Sequence, residues 1–163
     1  GGSAAALATG MVWLATGNDL GGSLRVPAAF NGIVGLRPGP GVVARGKRLQ
    51  PFDSLWVEGP MGRSVADVAL MLDAQAGHDR EDPFSFPSPE VSYSETLNSS
   101  GSPKRVAFSR DLGVVHVSKQ IAEIAETSVL KLRDAGIEIT GEYLTLMESS
   151  GPLKPSGLYC LEP

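Results

Sequence analysis

The chain of 163 residues has one cysteine, Cys160, and two histidines, His78 and His116. A single cysteine rules out a disulfide framework or a multi-cysteine zinc site within one chain. His78 lies in Gly77-His78-Asp79-Arg80-Glu81-Asp82-Pro83, and His116 lies just before Ser118. A zinc site takes three or four ligands placed by defined structure. Both histidines read instead as residues of solvated loops, so neither a metal nor a cofactor is expected. No apolar run approaches the roughly 18 residues that cross a bilayer. The first residues lack the basic, apolar and cleavage regions of a secretory signal. A cytoplasmic protein with no membrane span is therefore the expectation. Aromatic residues make up 6% of the chain and the formal net charge is −4. The one small basic cluster, Arg37, Arg45, Lys47 and Arg48, has no aromatic residues interleaved as a stacking platform for bases would. Nucleic acid is not an expected partner.

What the chain does have is glycine, 20 of them, with 12 prolines and enough apolar residues, 42%, for a packed core. The most informative string is Gly17-Asn18-Asp19-Leu20-Gly21-Gly22-Ser23-Leu24-Arg25-Val26-Pro27. Glycine lets a backbone turn tightly and approach a ligand without a Cβ in the way. Successive N–H groups in such a turn can form a concave anion site. A hydroxyl at the end of the turn then stands beside an oxyanion hole. Taken alone, the string also fits an ordinary glycine turn carrying a solvated serine.

Periodicity outlines the rest. Residues 3–11 read as an alanine-rich helix, and 11–16 as a continuous apolar run of buried-strand type. Residues 27–31 fit one helical turn with proline at its start. Short strands are expected at 34–37, 41–44 and 57–61, the first two separated by Pro38-Gly39-Pro40-Gly41. Ser64-Val65-Ala66-Asp67 has capping-box spacing and opens a helix to Ala76, with Val65, Val68, Ala69, Leu72 and Ala76 on one face. Gly77 suits the left-handed closing position. Residues 78–104, rich in proline and serine, read as a long surface loop. A strand at 106–108, a helix over 118–135 with Ile121, Ile124, Ala125, Val129 and Leu132 on its apolar face, and a strand at 137–143 fit one α/β crossover. From about Leu144 the periodicity ends, and 144–163 read as an irregular tail.

Two further strings flank the glycine turn: Gly1-Gly2-Ser3-Ala4-Ala5-Ala6-Leu7-Ala8 before it, and Phe30-Asn31-Gly32-Ile33-Val34-Gly35-Leu36-Arg37-Pro38 after it. Farther on stands Glu58-Gly59-Pro60-Met61-Gly62-Arg63-Ser64-Val65-Ala66-Asp67. In order, spacing and residue type these resemble the amidase signature family, whose pattern is Gly-Gly-Ser-Ser-Gly-Gly, then Gly-Thr-Asp-x-Gly-Gly-Ser-x-Arg-x-Pro, then Gly-x-x-Gly-Leu-Lys/Arg-Pro. The resemblance covers residues 1–143, a central part of the family fold. It implies an α/β domain, a mixed twisted sheet flanked by helices, with Ser23 at the end of a buried strand.

The resemblance also implies chemistry. A serine attacks a carboxamide carbonyl, a second serine in a cis peptide relays its proton towards a lysine, and an acyl-enzyme forms. Ser23 matches the nucleophile. The N–H groups of Leu20, Gly21, Gly22 and Ser23 match the oxyanion hole. Asp19 matches an acid that orients the loop, Arg25 matches the arginine beyond the nucleophile, and Asn18 stands where threonine is usual. The relay serine and the lysine match positions ahead of Gly1. Ser128-Val129-Leu130-Lys131 has serine–lysine hydrolase spacing, but it falls inside a helix with Lys131 as a surface charge. The expected function is thus part of a hydrolase of carbon–nitrogen bonds in small amide substrates, inactive as an isolated chain. The alternative is a non-catalytic remnant or assembly module, belonging to an amidase or to one subunit of a glutamine-dependent amidotransferase. An open sheet edge would favour a homo-oligomer.

Overall fold

A computed structural model of the chain describes residues 1–47, 49–99, 101–111 and 115–140. The chain divides into two compact units, Gly1–Ser100 and Gly101–Pro163. Their strands and helices give the expected α/β class, with a three-stranded antiparallel sheet in the first unit and a two-stranded parallel sheet in the second.

In the first unit, helix α1 (Gly2–Ala8) buries Ala4 and Leu7. It stops short of the expected Met11. Gly10 takes φ +74°, its N–H donates to the Leu7 carbonyl (3.1 Å), and the Met11 N–H donates to the Ala6 carbonyl (2.8 Å). This is a Schellman closure, which glycine favours because it has no Cβ to clash. The apolar run at 11–16 is consequently not a buried strand. Met11 and Trp13 are 78% and 83% exposed. Arg63 ties this segment down instead: it donates to the Leu7 and Val12 carbonyls (3.2 and 2.9 Å), and its guanidinium lies 5.5 Å from the Trp13 ring centre.

Strand β1 (Ala15–Asp19) begins only at the end of that run and carries Gly17, Asn18 and Asp19. It lies along one side of the central strand β3 (Val57–Gly62), and β2 (Val34–Gly35) lies along the other. β3 buries Val57, Gly59, Pro60, Met61 and Gly62. Between β1 and β2, helix α2 (Arg25–Asn31) is longer than the single turn expected and ends at Gly32 with φ +64°. Ala4, Leu7, Leu24, Ala28 and Met61 form the buried core, with Ala15 and Ile33 packed on it. Each large side chain there contributes about 2 kcal/mol by leaving water.

Residues 41–44 form no strand; only isolated bridges link Val43 to Pro40 and to Ala76. Gly41 has φ +85°, and a Cβ there would meet the Phe84 carbonyl oxygen, so the chain turns instead of extending. Helix α3 (Val65–Gln75) has both halves of the capping box: Ser64 Oγ accepts from Asp67 N–H (3.1 Å) and Asp67 accepts from Ser64 N–H (2.9 Å). It buries Val68, Ala69 and Leu72, whereas Val65 is 56% exposed. It ends through an extended Ala76 that bridges Val43, and Gly77 follows with φ +152°, outside the left-handed helical position expected for it.

Helix α4 (Tyr93–Ser99) lies within the stretch expected to be irregular. Its first N–H groups, on Tyr93 and Ser94, donate to Asp73 of α3 (2.6 and 3.1 Å), and Glu95 N–H donates to Ser92 Oγ (3.1 Å). Ser92 and Asp73 of α3 share the capping, and Ser92-Tyr93-Ser94-Glu95 has the Ser-x-x-Glu spacing of a local start signal that the loop reading passed over. No residue of α4 is buried, so no apolar stripe announces it.

In the second unit, β4 (Arg105–Ala107) and β5 (Glu138–Thr140) pair in parallel. Helix α5 (Lys119–Leu130) and a 3₁₀ turn (Lys131–Ala135), closed by Gly136 at φ +77°, connect them as the expected crossover. α5 buries Ala122, while Ile121 and Ile124 are each 57% exposed. A two-stranded sheet is too narrow to cover the whole apolar stripe of the helix. The expected strand residues 141–143 and the tail 144–163 lie outside the described residues.

Candidate active site

The glycine turn is built around one carboxylate. Asp19, the last residue of β1, is fully buried. Its Oδ1 accepts from Gly22 N–H (2.7 Å) and its Oδ2 from Leu24 N–H (3.3 Å). Arg25 closes a two-pronged pair on it, Nε to Oδ2 at 2.9 Å and Nη2 to Oδ1 at 3.0 Å. The bonded Arg25 guanidinium holds the Asp19 carboxyl well below the usual carboxylate range; burial pushes the other way, and the Gly22 and Leu24 amides reinforce the arginine. A buried charge is tolerated only when paired and hydrogen-bonded in this manner.

Ser23 lies four residues beyond the end of β1, on the turn itself and exposed, not at the end of a buried strand. β1 is an edge strand with alternating burial, which exposes Asn18 and buries Asp19. Gly22 has φ +107°, open to glycine and strained for other residues, and a Cβ there would come within 2.9 Å of Val26. Of the four N–H groups expected to face an oxyanion, that of Gly22 points to Asp19. Among the described residues the N–H groups of Leu20, Gly21 and Ser23 have no acceptor. An open groove of about 460 Å³ is lined by residues 21–23 together with Gly1, Val26, Pro27, Phe30 and Asn31. Ser23, the free-amide residues Gly21 and Ser23, and the apolar Val26, Pro27 and Phe30 therefore line one depression, and Leu20 does not.

Arg37, read from sequence as part of a surface basic cluster, belongs to this site. Its Nε stands 3.7 Å from Asp19 Oδ1 and its Nη2 donates to the Leu55 carbonyl (2.8 Å). Charge alone could not have placed it; the antiparallel pairing of β2 with β3 does. The other candidates lie elsewhere. Ser128 Oγ donates to the Ile124 carbonyl within α5 (2.8 Å), and Lys131 is exposed, so the serine–lysine spacing is helical surface. His78 lies against a different serine: its Nδ1 is 3.0 Å from Ser85 Oγ. His116 is exposed. Among the described residues no group of three or more His, Cys, Asp or Glu side chains could hold a metal ion. No helix among them is long and apolar enough to cross a membrane.

Comparison with known proteins gives concordant findings. The family profile described as Amidase matches residues 1–151, past the point where the motif resemblance stops. An acylamidase from Rhodococcus erythropolis is 39% identical over 138 residues, 85% of this chain and 29% of that protein. One subunit of the glutamyl-tRNA(Gln) amidotransferase from Gluconobacter oxydans is 39% identical over 139 residues, 85% of this chain and 28% of that protein. Among solved structures, a bacterial aryl acylamidase of the amidase signature enzymes superposes with a TM-score of 0.78 at 30% identity, over 85% of this chain and 29% of that one. A 6-aminohexanoate cyclic dimer hydrolase complexed with substrate does so with a TM-score of 0.78 at 30% identity, over 88% of this chain and 31% of that one. The chain spans under a third of the length of these relatives.

Proposed function

The chain belongs to the amidase family, and on that premise we propose that it supplies the nucleophile and the oxyanion donors of a hydrolase of carboxamide carbon–nitrogen bonds. Ser23 Oγ attacks the carbonyl carbon, and the carbonyl oxygen, gaining negative charge, is received by the N–H groups of Leu20, Gly21 and Ser23. The C–N bond breaks, the amine leaves with a proton, and water then cleaves the ester on Ser23. Asp19 and Arg25 are positioning residues that hold the turn, and Asn18 flanks it.

The observation that supports this reading most is the division of roles within the turn. Asp19 takes the Gly22 and Leu24 amides and the Arg25 guanidinium. Gly21 and Ser23 line the open groove. Fixed dipoles that need no reorganisation are what stabilise a developing oxyanion. A serine hydroxyl is a weak nucleophile until a base takes its proton. The test therefore takes the relay serine and the lysine of the family from a relative that spans the whole fold.

An exchange experiment tests the proposal. The 138-residue stretch shared with the Rhodococcus erythropolis acylamidase is replaced in that enzyme by the present sequence. The chimera is expected to hydrolyse an acyl amide that the parent accepts, and Ser23→Ala to lower its kcat by roughly 10⁴–10⁶-fold. A folded chimera that is inert, or one equally active with Ser23→Ala, contradicts the proposal.

A further inference from the structure

Leu24, the residue after Ser23, is held from three sides by glycines of three different strands. Gly17 of β1 and Gly59 of β3 are direct cross-strand partners. A Cβ on Gly17 would come within 3.0 Å of Leu24 Cδ2, and one on Gly59 would meet the Leu36 carbonyl oxygen (2.5 Å) and Pro38 Cδ (2.7 Å) as well as Leu24 Cδ1 (2.8 Å). The two methyl groups of Leu24 thus lie across the glycine pair. Gly35 of β2 closes the third side, where a Cβ would come within 2.6 Å of the Leu24 carbonyl oxygen and 2.8 Å of Ala28 Cβ. None of these three glycines has a positive φ. Backbone freedom therefore does not explain them; the space they leave does. Leu24 itself has no exposed surface, and its N–H is taken by Asp19.

Side chain, carbonyl and N–H of Leu24 are all fixed, and Ser23 is one peptide bond away. We propose that Leu24, seated across Gly17, Gly35 and Gly59, is the positioning residue that sets where Ser23 presents its hydroxyl. The glycine socket locates the nucleophile laterally against the sheet, and Asp19 curls the turn around it. The inference rests on the reading of Ser23 as nucleophile, because a merely solvated serine would need no such placement. Displacements of about 1 Å are enough to lower an enzyme's rate steeply.

The test is amide NMR on the 163-residue chain. Gly17→Ala adds one methyl group against Leu24 Cδ2. The amide resonances of Gly22, Ser23 and Leu24 are expected to shift, and the Gly22 N–H, bonded to Asp19, to exchange with solvent roughly tenfold faster. In a Leu24→Ala background the same Gly17→Ala change is expected to add nothing, because the atom it strikes is gone. Leu24→Met, which keeps volume, is expected to preserve the Gly22 protection. Leu72→Ala, also buried but on α3, is expected to lower overall stability without moving those three amides. Should Gly17→Ala fail to fold, Leu24→Ile serves: its Cβ branch cannot lie across the glycine pair, and the same amides should shift. Unmoved amides in Gly17→Ala, an equal shift in Leu72→Ala, or an undiminished effect in the Leu24→Ala background overturns the proposal. The readout is conformational, so failure here is distinct from failure of the nucleophile assignment, which the chimera reads through Ser23→Ala.

Discussion

Two buried carboxylates in the first unit organise two turns by the same means and with different outcomes. Asp19 gathers the Gly22 and Leu24 amides, and Asp82, 1% exposed, gathers the Arg45 and Phe84 amides (2.9 and 3.0 Å). Each turn also carries a serine. Ser85 Oγ accepts from Asp79 N–H (2.9 Å), the Asp79 and Asp82 carbonyls (2.9 Å each) compete for its single proton, and His78 Nδ1 lies 3.0 Å away. Ser23 Oγ has no partner among the described residues, and Ser23 lines the groove. A serine beside a histidine is the more familiar sign of a nucleophile. Here that pair ties a loop together, and the serine without a histidine has the open position. What distinguishes a site from a strut is which donors and hydroxyls remain after the turn has satisfied itself.

Substitutions at the two serines and the two carboxylates can sharpen or break this comparison. The largest effect is expected from Ser23→Ala, which removes activity from the chimera yet leaves its thermal unfolding midpoint unchanged, because an exposed hydroxyl without partners contributes little to stability. Asp19→Asn comes next. It is expected to cost about 2 kcal/mol of stability, because the amide nitrogen that replaces one carboxylate oxygen cannot accept from its N–H partners, and to lower kcat by roughly 10²–10³-fold if the turn then shifts the donors assigned to the oxyanion. The Asp19 carboxyl titrates below its unfolded value, so the stability it adds is complete above about pH 4 and is lost as pH falls through the folded value. Denaturant titrations from pH 7 into acid should show that loss in the wild-type chain and a flatter acid limb in Asp19→Asn; identical limbs would remove Asp19 from its central role. Asp82→Asn should lower stability while a folded chimera keeps its activity.

Ser85→Ala is expected to cost about 1–2 kcal/mol, since it leaves the Asp79 N–H without its acceptor, with kcat unchanged. Loss of activity in a folded Ser85→Ala chimera would transfer the chemistry to the other turn. The smallest effect belongs to Arg37→Gln. The 3.7 Å separation from Asp19 and the bond to the Leu55 carbonyl predict a loss of about 1 kcal/mol, shown as a lower urea midpoint at unchanged slope. No change in that midpoint would return Arg37 to the surface cluster.

The glycine turn was legible because every part of it lies within nine residues of chain, from Gly17 to Arg25, and its meaning depends on local backbone chemistry. The α3 capping box and the β4–α5–β5 crossover were legible for the same reason: caps and periodicity are local signals. What escaped was long-range. Arg37 reaches Asp19 only because β2 pairs with β3. α4 has a local start signal in Ser92 and Glu95, but its Tyr93 and Ser94 amides are taken by Asp73 of another helix. The run at 11–16 looked like a buried strand by composition, and the Schellman closure at Gly10 with Arg63 from a distant loop turned it to the surface. Ile121 and Ile124 follow helical period faithfully, but period does not say how wide the covering sheet will be. The glycine socket was hidden because its three members come from three strands that only the fold brings together.

The central claim is that the Asp19 turn, not the Asp82 turn, presents the reactive serine. The most direct test is to treat the acylamidase chimera with a serine-directed fluorophosphonate and locate the adduct by peptide mass spectrometry. The account predicts one phosphonylated residue within the exchanged segment, Ser23, and no adduct there in Ser23→Ala. An adduct on Ser85, or labelling of the segment that persists in Ser23→Ala, would contradict it.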